Sequence, residues 1–145
     1  MNGQDFLRVT HDAFEPFLVA LGFTIETPSI SGRFYRASFS SSKNTVSVSY
    51  EPGDNALFVL VFSRGEYGLS DIDDKMKTPR LADLNSRYMH LVSNEERVLN
   101  ELFFQSVVVK DQEERLLLKC AKELRLVLPR YLNALSRSYP FAWLG

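Results

Sequence analysis

Residue types that carry chemistry are scarce in this chain. A single cysteine, Cys120, excludes an intrachain disulfide and any multi-cysteine metal centre. A reducing, cytoplasmic setting is the simplest fit. The two histidines, His11 and His90, fall in separate helical segments with no carboxylate spacing that would make them a ligand set. They read as surface or boundary residues. The G-x-S-x-G elbow and the H-E-x-x-H helix are both missing. So is a phosphate loop, since Gly65 and Gly68 lack the strand–glycine–helix context that such a loop needs. The longest apolar run, Ala56 to Phe62, is far shorter than the ~20 residues of a membrane span. The opening MNGQDFLRV has no basic segment leading into an apolar one, so a signal peptide is not expected. Neither sign of charge dominates: 17 basic side chains face 18 acidic ones. The long-range field that gathers nucleic acid or an anionic membrane is therefore not expected. No cofactor, metal ligand or catalytic residue is assigned.

What is present is the material of one α+β domain. A length of 145 residues is ordinary for a single domain, and 11 phenylalanines predict an aromatic core. Residues 4–21 place Phe6, Val9, Ala13, Phe17, Ala20 and Leu21 on one helical face, with Gly22 as the terminator. Pro16 lies inside this segment and predicts either a kink in one helix or a first short helix ending near Ala13 with Pro16 starting a second turn, the kink being preferred. Four antiparallel strands in a meander follow, at about 23–27, 33–41, 45–51 and 56–63. In the second, Tyr35, Ala37 and Phe39 oppose Arg36, Ser38 and Ser40. In the third, Val46, Val48 and Tyr50 oppose Thr45, Ser47 and Ser49. This period of two is that of half-buried strands. The fourth is apolar on both faces, with Leu57, Val59 and Val61 opposing Phe58, Leu60 and Phe62. Its second face calls for a cover from the C-terminal helices or from a second copy of the chain, which leaves a homodimer open.

Two to three helices are expected in the C-terminal half. Thr78 and Pro79 have the form of an N-cap and first helical residue. Ser93 and Glu96 have capping-box spacing, and the helix after them groups Val98, Leu99, Leu102 and Phe103 on one face. Val107 to Val109 read either as a continuation or as an extended link. A long helix is expected at 111–128, with Cys120 on its apolar face and Pro129 kinking or ending it. The tail, with Phe141, Trp143 and Leu144, is expected to dock.

Two groups of residues stand out as candidate sites. The charged loop 64–79 carries Asp71, Asp73, Asp74 and Lys75 and leads into Arg80. Long loops disproportionately carry function, so these five residues are the expected contacts for a protein partner. The loop fails the calcium template: counted from Asp71, its sixth and twelfth positions are Met76 and Ala82 rather than glycine and a carboxylate. The alternative is an enzyme or small-ligand site assembled from Tyr50, Asp73, Arg80 and His90. A stacking platform for nucleic acid is disfavoured, because alternation turns Arg36 away from Tyr35.

The strings LGF, YEPGDN and TPRLADLN, in a helix–meander–helix layout, resemble small bacterial proteins similar to the immunity proteins of toxin systems. The resemblance implies a cytoplasmic, non-catalytic protein that binds one partner. The small secretion chaperones share the size and class, but they interrupt the strand order with a helix.

Overall fold

The computed structural model describes residues 1–138. The expected docking of the tail lies outside the described residues. The fold is α+β, with an N-terminal helical segment, an antiparallel sheet and three C-terminal α-helices. Among the described residues, no helix is long and apolar enough to cross a membrane.

The N-terminal segment comprises α1 (Gly3–Val9), a π-helical turn (Thr10–Phe14) and α2 (Glu15–Ala20). The expected kink thus takes the form of a π turn just ahead of Pro16. Widening the turn accommodates the ring and the missing N–H without ending the helix. Gly22, at φ +95°, closes α2 as expected. Its N–H donates to Val19 O (3.0 Å), and that of Phe23 donates to Leu18 O (2.9 Å), a Schellman closure that tucks Phe23 into the core.

The sheet runs β1 (Thr24–Ile25), β3 (Tyr35–Ser40), β4 (Asn44–Glu51), β5 (Ala56–Gly65) and β6 (Gly68–Leu69). β2 (Ser29–Ile30) shares the β1 edge of β3. The first expected strand is thus cut to two residues, and beyond Pro28 the same edge is taken up again by β2. Its inner face carries Ala37, Phe39, Val46, Val48, Tyr50, Val59 and Val61. These pack under α1, α2 and the long helix α5 (Gln112–Ser138). Tyr35 stacks on Tyr50 at 5.9 Å between ring centroids, and Phe6 of α1 meets Tyr35 at 5.7 Å.

α3 (Leu81–Tyr88) begins two residues later than Thr78–Pro79 suggests. Thr78 is buried, and its hydroxyl donates to Asp71 O at 2.7 Å, so it ties down the preceding loop instead of capping the helix. The Arg80 N–H donates to Asp83 Oδ2 (3.0 Å) at the true start. α4 (Asn94–Phe103) carries the expected box: the Glu96 N–H donates to Ser93 Oγ (3.1 Å) and the Ser93 N–H to Glu96 Oε1 (3.4 Å). Residues 107–110 form an irregular link. Asp111 caps α5 through the Glu114 N–H (2.9 Å), and α5 runs on past Pro129 to Ser138.

Candidate functional site

The helices all cover one face of the sheet; the other face carries no helix, although Ser40, Thr45, Ser47 and Leu60 on it are buried, and its composition follows from strand register. Three cross-strand ladders face outward: Arg36–Ser49–Phe58, Ser38–Ser47–Leu60 and Ser40–Thr45–Phe62. Successive rungs along a strand are about 6.7 Å apart, and neighbouring strands about 4.8 Å. The surface therefore grades over about 10 Å from polar groups on β3, through hydroxyls on β4, to a row of large apolar side chains on β5. The doubly apolar fourth strand is explained by this row. Its second face is not roofed by the C-terminal helices, which all lie on the other side. The loop after it supplies a partial cover.

That loop is fastened to β5. The Val61 N–H donates to Pro79 O (3.0 Å), and Leu60 bridges Arg80. The Ser63 and Ser70 backbones and the Ser70 hydroxyl join at 2.8–3.0 Å. The result is a trough of about 600 Å³, floored by the three ladders and walled by Leu69, Ile72 and Arg80. Leu60 is 7 % exposed at its floor. Phe58, Leu69 and Ile72 stand 37 %, 51 % and 50 % exposed at its rim. Arg36 lies over the Phe34 ring at 5.2 Å on the β3 side. Neither Arg36 nor Arg80 forms an ion pair among the described residues. Ser40 shares hydrogen bonds with Thr45 (2.8 Å) and Glu26, whereas the hydroxyls of Ser38, Ser47 and Ser49 form none among the described residues. Such a face offers apolar contact on one side and hydrogen bonds on the other. It holds no nucleophile–base pair.

Of the five expected contact residues, Arg80 is on the trough. The aspartates are not. The Asp71 carboxylate accepts the Asp73 N–H (2.9 Å), and that of Asp74 accepts the N–H groups of Met76 (3.1 Å) and Lys77 (3.3 Å). Two of the three acids thus shape the loop by Asx turns. Asp73 and Lys75 are solvent-exposed. The loop residues that line the trough, Leu69 and Ile72, are apolar, so the charge pattern of the loop does not point to them.

The alternative set is not assembled. Tyr50 points to the inner face, where its hydroxyl joins Asn55 and Glu113, each at 2.9 Å. His90 is exposed in a 3-10 turn after α3, and neither residue shares the clefts that Arg80 lines. Glu113 also takes the Met1 amine, and these two hydrogen bonds hold its carboxyl below the usual range. Burial, then the bond to Glu113, pushes the Tyr50 hydroxyl up to about 12. His11 pairs with Glu15 one turn on, at an exposed site. Among the described residues, no cluster of three or more His, Cys, Asp or Glu side chains is placed to hold a metal ion.

The signal for the trough was in the sequence. The outward set of β3 and β4 is hydroxyl-rich, and that of β5 is not polar at all. The chain matches no protein-family model, no curated protein and no solved structure.

Proposed function

We propose that this chain is a non-catalytic, cytoplasmic protein-binding domain that acts by surface complementarity, with the open sheet face as its contact. The observation that supports this most is the row Phe58–Leu60–Phe62. A sheet face built for water would carry polar side chains there; instead an apolar row, with Phe58 exposed, Phe62 half-buried and Leu60 buried, lies beside unbonded hydroxyls and is extended by exposed Leu69 and Ile72. Contiguous exposed apolar surface rimmed by polar groups marks interaction sites. Arginines at the two rims, with two of the three loop carboxylates engaged in turns and none on the trough, suit a chaperone-like holder of a mixed apolar and polar segment. They suit an immunity-type neutraliser of a basic nuclease less well, because such a target calls for free carboxylates.

The test is photo-crosslinking in cells from a reactive amino acid at position 58 or 72, with position 90, outside the trough, as control. One protein captured from 58 and 72 but not from 90, and lost when Phe62→Asp is added, supports the reading. Equal capture from position 90, or no effect of Phe62→Asp, overturns it.

A further inference from the structure

On the far side of the molecule, α4 presents an uncovered apolar face. Val98, Leu99, Leu102 and Phe103 are 60 %, 63 %, 53 % and 41 % exposed, although their spacing would suit a core-facing stripe. The side of α4 turned to the protein holds Asn100 and, at the C-cap, Phe104. A groove of about 400 Å³ continues the face between Leu99 and Phe103 of α4 and Phe17 and Leu21 of the α2 end.

We propose that a second copy of this chain covers this face, with the two α4 helices antiparallel across a two-fold axis. The apolar stripe can pair with its own copy about a two-fold axis, and the charges flanking it set the sense. With one helix reversed, Val98 meets the copy's Phe103 and Leu99 meets its Leu102, and each pairing occurs twice about the axis as in an isologous contact. The charges agree. Glu95 lies on the same face, one turn before Leu99, and has no ion-pair partner among the described residues. Arg125 lies at the other end, its guanidinium 3.9 Å from the centre of the Phe103 ring. Antiparallel pairing brings each Glu95 towards the copy's Arg125 end, and opposes the helix dipoles favourably. Parallel pairing would set Glu95 beside Glu95.

α4 packs on α5, and α5 on the inner sheet face, so the pairing leaves both troughs open and facing away from each other. The dimer would present both troughs, and the pairing itself does not rest on the trough reading.

Sedimentation velocity on the full chain, at up to about 100 µM, should give twice the 16.6 kDa monomer mass. The double variant Leu99→Glu with Leu102→Glu should sediment as a folded monomer with unchanged circular dichroism. Glu95→Arg should weaken the dimer about tenfold. In a Cys120→Ala background, a short bismaleimide should join Leu99→Cys protomers to Leu102→Cys protomers in a mixture faster than it joins either to itself. A monomeric wild type at the highest concentration, a double variant that stays dimeric, or no preference in the mixed cross-link overturns the proposal. Should the double variant unfold, the mixed cross-link decides.

Discussion

The buried amide of Asn100 is clamped on both of its ends by α5: its Nδ2 donates to Lys122 O at 2.9 Å, and its Oδ1 accepts from Arg125 Nη1 at 2.8 Å. This contact decides which side of α4 faces the protein. Salt bridges flank it, Arg130 with Glu96 at 2.8 Å and Lys122 with Glu101 at 2.7 Å. A helix whose buried residue is an asparagine is held by geometry-specific hydrogen bonds, and its apolar stripe is left free for something else.

Asn100→Ala removes both bonds and strands a half-buried guanidinium. A loss of about 2–3 kcal/mol is expected, since each buried partner left unsatisfied is worth about 1–3 kcal/mol. Urea unfolding measures it. Hydrogen exchange should show protection lost in α4 first, with α5 and the strands little changed.

The Arg8–Glu114 pair should respond unequally to removal of its two members. Glu114 is fully buried and Arg8 about a third exposed, with Glu114 Oε2 and Arg8 Nε unpartnered. Arg8→Met leaves a buried carboxylate unpaired and should cost about 3–5 kcal/mol. Glu114→Gln keeps an acceptor for the Lys110 N–H (3.2 Å) and leaves the cation within reach of water, so about 1–2 kcal/mol is expected. Equal losses in the two variants would contradict this account.

Tyr50 makes stability fall in alkali. Its ordinary value is 10.0, and in the folded chain it is pushed up to about 12 by burial and then by Glu113. Raising the folded value favours the protonated form, so the contribution is complete below pH 10.0 and is lost as pH rises to about 12, where the unfolded chain holds fewer protons. Tyr50→Phe lacks this slope. The stability gap between wild type and variant, set at neutral pH by the lost hydrogen bonds, should narrow over that window in urea titrations.

Cys120 should be a slow thiol. Burial against β5 and α3, with Glu123 adding to it, pushes its value up to about 11. At pH 8 little thiolate forms, so reaction with a disulfide reagent should be much slower than that of a free cysteine and should reach the free rate in denaturant. Fast labelling of the native chain would place Cys120 in a reactive rather than a packing role.

Much of the fold was legible in the sequence because it is encoded locally. Alternation over 35–40 and 45–50 assigned Ala37, Phe39, Val46, Val48 and Tyr50 to the core face, and all are buried, but Ser40, Thr45 and Ser47 of the opposite set are buried as well. Gly22 and the Ser93–Glu96 box marked helix ends correctly because caps depend on a few neighbouring backbone groups. Single residues are weaker signals. Thr78 looks like a cap, but its hydroxyl belongs to the loop. Of the kink or end expected at Pro129, the end does not occur, because α5 is held along its length by core contacts worth more than one missing hydrogen bond. The candidate site was half legible: Arg80 is on the trough, while the aspartates beside it fold their own loop.

Composition, strand period and capping signals by themselves determined an α+β chain with a half-open sheet and a doubly apolar β5. Which surfaces stay uncovered was decided only by tertiary structure. Periodicity shows that a stripe is apolar, but not what lies against it. Here one polar residue, Asn100, finds both its partners on α5 across more than 20 positions of sequence and turns the stripe of α4 outward. The helices, all gathered on one side of the sheet, leave Phe58, Leu60 and Phe62 to a loop that covers them only in part. Both outcomes rest on contacts between residues far apart in the chain, which local pattern does not specify.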